Sequence, residues 1–166
     1  AVNRGCHPAV LWRECRTYWR GDSSPENLGV EKGKGPIIIS YALEAIDLVR
    51  RSSSQDTFDG GDLKVMLLDG DNELIAVYRA SYFRPFLERE HQYVSKCILR
   101  SSLLRRASKF ICFRFCNEAP GTSEMELTQV RDLRTISHRL GIHFLDYIVL
   151  SNSGFLSFYL AGFEGF

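Results

Sequence analysis

The sequence has no apolar run approaching the roughly 18 residues of a membrane-spanning helix. Its first twenty residues carry several arginines and two tryptophans where a secretory leader would have an apolar core. Neither a span nor a leader is expected, and the expected location is cytoplasmic. The five cysteines, Cys6, Cys15, Cys97, Cys112 and Cys116, include no Cys-x-x-Cys pair. An odd count without paired spacing argues against a disulfide framework and against a multi-cysteine zinc site, so reduced thiols are expected. Neither sign of charge dominates: 21 Lys and Arg against 20 Asp and Glu leave +1. Bulk charge therefore implies no polyanionic partner.

What is present is ordinary globular material, 45% hydrophobic and 25% charged over 166 residues, enough for one domain with a proper core. Residues 1–35 differ from the rest. They hold Arg and Trp with little periodicity, then "GDSSPENLGVEKGKGP", a stretch of linker character. We expect a partly docked extension there, with "LWRECRTYW" as a short helix using Leu11, Trp12, Tyr18 and Trp19, and a folded unit over 36–166.

The pattern within 36–166 reads as alternating elements. "PIIISYALEAIDLVRR" starts on Pro36, a good first helical residue, and puts Ile38, Ala42, Ala45, Ile46 and Val49 on one helical face. "LKVMLLD" and "ELIAVYRAS", joined across "GDN", predict an antiparallel hairpin. "EREHQYVSKCILRSSLLRRAS" predicts an amphipathic helix with Val94, Cys97, Ile98, Ser101 and Leu104 inward. "KFICFRFC" predicts a buried strand. In "SEMELTQVRDLRTISHRLG", Ser123 and Glu126 have capping-box spacing, Leu127, Val130, Leu133, Ile136 and Leu140 share a face, and Gly141 is the stop. "IHFLDYIVLS", the turn "NSG" and "FLSFYLAGF" predict a second hairpin. The order implies an α/β (α+β) fold, a mixed β-sheet with three main helices packed on it.

The stretch "FCNEAPG", Phe115 to Gly121, ends an apolar run in a cysteine, an asparagine and a glutamate before a Pro-Gly turn, as a metal site or nucleophile is often presented. Together with "RLGIHFLDYIVLS" (139–151), "FLSF" (155–158) and "LKVMLLDGDNELIAV" (63–77), it resembles the RadC-like branch of the JAB/MPN metalloprotease fold, whose architecture is of the cytidine-deaminase type. The resemblance covers roughly residues 36–166. It implies a zinc held by two histidines and an aspartate, a serine for the oxyanion and a glutamate base on the first hairpin.

The positions that match the family's site carry other residues. Cys116 and Glu118 stand where the histidines would be. Anchoring on "LGIHFLD" puts Ser123 at the serine and Glu126 at the aspartate, whereas the family's spacing counted forward from Glu118 falls on Gln129. Tyr78 falls at the base, and a phenol with a pKa of about 10 holds its proton at neutral pH where a carboxylate would take one. Cys116, Glu118 and Glu126 would still make a one-sulfur, two-oxygen zinc set, a poorer Lewis acid than neutral imidazoles allow. No cofactor is expected on this reading, and zinc is the one candidate.

The residues support three functional readings. The first is a catalytically degenerate JAB/MPN domain that binds a protein partner or itself. The second is a divergent zinc metallopeptidase using Cys116, Glu118 and Glu126. The third is a nucleic-acid-associated protein: Lys96, Arg100, Arg105, Arg106, Lys109 and Arg114 lie in a stretch with no acid, and the family name carries a DNA-repair association. Each residue also has a plainer role. Cys116 would close a strand as a small apolar residue, Glu118 would be a solvated loop carboxylate, Glu126 would complete the capping box, and the basic residues would be a solvated helix face. A triad of Ser123, His138 and Asp146 lacks any nucleophile-elbow string. The aromatic "FLSFYLAGFEGF" would either finish the core or offer a docking surface.

Overall fold

The computed structural model describes residues 35–52, 63–81 and 88–166. The elements are α1 (Ala42–Ser52), β1 (Leu63–Leu68), β2 (Leu74–Ser81), α2 (Glu88–Leu104), β3 (Lys109–Phe115), α3 (Glu124–Arg139), β4 (His143–Ser151) and β5 (Gly154–Ser157). This is the mixed sheet with three helices that the pattern implies. The strand order is β2-β1-β3-β4-β5, parallel only between β3 and β4. Every residue of β1 is buried, as its near-continuous apolar run requires of a strand covered on both faces.

Side-chain alternation along the strands divides the core in two. Leu63, Val65, Leu67, Cys112, Tyr147 and Val149 meet α2 and α3 on one face. Met66, Leu68, Ile111, Phe113, Ile148 and Leu150 meet Ala45, Ile46, Leu48 and Val49 of α1 on the other. The protein is thus a helix, sheet and helix sandwich. Fully buried Phe110, Phe113 and Phe158 each contribute roughly 1.5–3 kcal/mol of transfer free energy.

Four expectations are corrected by local chemistry. The first helix starts at Ala42, not Pro36. The β-branched Ile37–Ile39 run is extended instead: Ile39 N–H donates to Asn72 O at 2.9 Å, and Ile37 O accepts from Leu74 N at 2.8 Å. The Glu44 carboxylate then accepts the N–H groups of Ser40 and Tyr41 and fixes the helix start. On α2, Leu104 is 66% exposed, and the buried stripe runs through Val94, Ser95, Ile98, Leu99, Ser101 and Ser102. On α3, Ile136 and Leu140 are exposed, and Glu126, Gln129 and Ser137 take the inner positions with Val130 and Leu133.

The last strand ends at Ser157, not Phe163, because the buried Asp146 carboxylate captures the chain just beyond it. Ser157 Oγ donates to that carboxylate at 2.5 Å and Tyr159 N at 3.0 Å, while Leu160 N donates to Ser157 Oγ. The chain folds back, and Phe158, Phe163 and Phe166 pack as an aromatic cluster with Phe144, with Arg134 over the Phe166 ring. Both later helices end in Schellman caps. Gly141 fills the left-handed position after α3, as expected, but Arg106 (φ 56°) fills it after α2. The hairpin at "GDN" forms, with Asp69 Oδ1 accepting from Asp71 N and Glu73 N. The expected N-terminal helix and linker lie outside the described residues.

Candidate functional site

β2, β3 and β4 run the same way, so their C-terminal ends share one edge with the N-terminus of α3. In α/β sheets the crevice outside the C-terminal ends of parallel strands, here β3 and β4, is where sites are presented. Phe115 ends β3, and Cys116 prolongs the pairing by donating its N–H to Leu150 O at 2.9 Å. The loop then turns through Pro120 and Gly121 to Ser123, the N-cap of α3 (φ −106°, ψ 161°).

The centre of this corner is a charge network that the family's motif does not contain. Arg114, facing α3 from β3, grips Glu126 with two donors: Nε to Oε1, and Nη2 to Oε2 at 3.1 Å. Its Nη2 also donates to Gly121 O at 2.6 Å, tying the Cys116–Gly121 loop to the strand. Tyr147 on β4 donates its hydroxyl to Glu126 Oε1 at 2.6 Å, and Thr122 donates to Oε2 at 2.9 Å. Four donors meet one carboxylate, which is about its full capacity.

The electrostatics agree with the geometry. Burial opposes the Arg114 charge, but the Tyr147 and Glu126 oxygens beside it more than offset this and raise its pKa. Burial first, and the Glu126 charge second, push the Tyr147 phenol well above its usual value, so it stays a donor. Only half of the expected capping box forms. Ser123 Oγ accepts from Glu126 N at 3.2 Å, but the Glu126 side chain turns inward to Arg114 instead of back to the cap. A carboxylate with a guanidinium within reach makes a two-pronged pair of opposite charges there, which outweighs a single bond to an exposed backbone N–H.

The remaining family positions are spread out. The Cys116 thiol lies 3.4 Å from Glu118 O and 3.5 Å from Leu150 O, half-buried against the α2/α3 side of the core. Glu118 is exposed. Among the described residues no three His, Cys, Asp or Glu side chains gather as a metal-holding group. The proposed ligand set does not fit a zinc ion as it stands, because Glu126 has its oxygens on Arg114, Tyr147 and Thr122. Tyr78 sits in the core under α2 with Ser101 beside its hydroxyl, and burial raises its pKa further. Its row of the sheet, Tyr78 to Val65 to Cys112, lies two residues short of Arg114 along β3. Ser123 is the cap, His138 is exposed, and Asp146 holds Ser157, so the triad does not assemble.

The basic stretch is dispersed as well. Lys109 reaches the hairpin turn, donating to Gly70 O and Asn72 Oδ1, and Arg114 is committed to Glu126. Arg105 is half-buried near Tyr78. Lys96 and Arg106 are exposed, with Arg100 half-buried between them on the outer side of α2. No helix among the described residues is long and apolar enough to cross a membrane.

Sequence reasoning missed Arg114 as the partner of Glu126, and Tyr147 and Thr122 as its supports. The signal was present in "KFICFRF". Arg114 falls on the same side of that strand as Cys112 and Phe110, so it needed a buried acceptor, and Glu126 is the acid that α3 turns inward. A comparison with curated proteins gave no match. The sequence model of the RadC-like JAB domain matches residues 39–163, from the extended entry into α1 through the aromatic turn that closes the sheet. With this match over most of its length, and a mixed sheet and three helices consistent with it, the chain belongs to the RadC-like JAB domain family.

Proposed function

We propose that this protein is a catalytically silent RadC-like JAB domain that works by binding or assembly. The observation that carries the reading is the Arg114 grip on Glu126. The carboxylate at the family's third ligand position already has an internal cation, and freeing it would leave a buried guanidinium without its partner. Tyr78 at the base position supports the same conclusion, since a buried phenol with a raised pKa is no proton acceptor at neutral pH. The thiol of Cys116 and the carboxylate of Glu118 remain at the loop, but a hydrolytic centre needs a base and an open metal position besides.

The test is hydrolysis of lysine-linked isopeptide and linear peptide substrates with zinc supplied, comparing the native protein with Cys116→Ala. Equal, background-level turnover is expected. Zinc-dependent turnover that Cys116→Ala abolishes would overturn the reading and restore the metallopeptidase.

A further inference from the structure

α2 lies over β2 and α3 over β4, with β1 and β3 between them in the sheet. Three strand spacings are about 14 Å, wider than the roughly 8–10 Å between closely packed helices, so the two helices leave a groove. At about 100° per residue, Ser95, Leu99 and Leu103 fall on the flank of α2 away from Cys97 and Ser101, which adjoin Tyr78 of β2. Gln129 and Ile136 fall on the flank of α3 away from Arg134, which reaches Phe144 O and the Phe166 ring. These two flanks face each other. Their levels match as well. Ser108 O accepts from His143 N at 2.9 Å just beyond the helices, which sets the caps at Arg106 and Gly141 side by side. Ser95 is eleven residues before Arg106, and Gln129 is twelve before Gly141. Ser95 is 6% and Gln129 7% exposed, and among the described residues Ser95 Oγ and Gln129 Oε1 have no hydrogen-bond partner. Nearer the caps, Leu103 at 55% and Ile136 at 43% exposure form open apolar walls.

We propose that this groove takes the chain's own residues 11–19, the stretch "LWRECRTYW". The rims do not choose the occupant, since exposed Lys96 and Arg106 flank one side and exposed Asp132 and Arg139 the other. The floor does. Two buried acceptors between apolar walls call for hydrogen-bond donors carried on an apolar body, and the indole of tryptophan is such a group, with an N–H that only donates. At helical spacing Leu11, Trp12, Cys15, Tyr18 and Trp19 share one face of the stretch, with Arg13, Arg16 and Thr17 opposite. Trp12 and Trp19 supply one indole N–H for each open oxygen. The chain also enters the fold at the right end. Ile39 N donates to Asn72 O, and Lys109 Nζ donates to Asn72 Oδ1 shortly after the cap of α2, so Gly35 starts near the caps of both helices. The fifteen residues between Trp19 and Gly35 reach at most about 50 Å, ample for the distance. Tethering gives the segment an effective concentration on the order of mM, ahead of a free partner. Glu126 and its donors take no part, so the contact stands apart from the silent-site reading.

Trp12 and Trp19 are the chain's two tryptophans, so tryptophan emission reports this segment alone. In the native full chain the emission is expected to be blue-shifted from that of the urea-unfolded chain, shielded from acrylamide and unchanged on dilution. Leu103→Gln with Ile136→Gln makes both walls polar without entering the core. This variant is expected to lose the blue shift and the shielding while its far-UV circular dichroism is kept. Ser95→Ala with Gln129→Leu keeps the walls and removes both acceptors, and is expected to raise acrylamide quenching as well. Native tryptophans quenched as freely as in urea would overturn the proposal, by leaving the open oxygens to water. Shielding that survives either double variant would overturn it, by separating the segment from the walls or from the acceptors. Shielding lost on dilution would overturn it too, by giving the groove to the segment of a second copy.

Discussion

Removing the Arg114 side chain tests how the corner is held together. In Arg114→Met the strand keeps an apolar side chain of similar length, while Glu126 loses two of its four donors and the counter-charge they carry. Breaking a buried ion pair from one side typically costs about 3–5 kcal/mol. Here the side chains are 15% and 8% exposed. Gly121 O, the third acceptor of Arg114, is at the surface and recovers a water. These openings put the expected loss at the low end of that range, about 3 kcal/mol, read as a fall in the urea midpoint at pH 7 with an unchanged slope. Adding Glu126→Gln removes the stranded charge and keeps an acceptor for Tyr147, so the double variant is expected to recover about 1 kcal/mol or more relative to Arg114→Met. A loss below about 0.5 kcal/mol, or a double variant as unstable as the sum of the singles, would refute the view that this pair is a coupled, buried unit.

The two Schellman caps give an opposed pair of predictions. Arg106→Gly relieves a left-handed arginine and is expected to stabilise the fold by about 0.5–1 kcal/mol, whereas Gly141→Ala imposes the same strain and costs about 1 kcal/mol, both read by thermal unfolding. Phe158→Ala empties the centre of the aromatic turn and should cost about 3–5 kcal/mol by urea unfolding. Burial holds the Asp146 carboxyl above its usual range despite the bonds from Ser157 and the Tyr159 backbone. The folded state therefore holds that proton more tightly than the unfolded chain. Its stabilising contribution is complete below the unfolded value of about 3.9 and is lost as pH rises through the folded value. Asp146→Asn should remove that decline, so as pH rises above about 4 the native protein should lose stability relative to the variant.

Much of the architecture was legible because periodicity reports burial. β1 reads as an apolar run interrupted only by Lys64 and is buried on both faces, and the capping serine and stop glycine of α3 lie where their chemistry puts them. What failed were inferences that depended on tertiary partners. Pro36 is a good helix start in isolation, but the isoleucines after it had a hairpin turn to pair with. Leu104, Ile136 and Leu140 fit helical stripes, yet the sheet below accommodates only part of each helix face. The family positions of the site could be counted from the strings. Their surroundings could not be counted. That the Glu126 side chain turns to Arg114 and not back to the cap follows from an arginine on a strand ten positions upstream of the helix start. No local spacing brings these two together.

The central claim is that the metal corner has been taken over by an internal cation. The measurement that tests it most directly is elemental analysis for zinc on untagged protein. The sample would be equilibrated with zinc, dialysed against metal-free buffer, and run beside Cys116→Ala. The account predicts well under one zinc per chain in both samples. Close to one zinc per chain in the native protein, lost in Cys116→Ala, would contradict it.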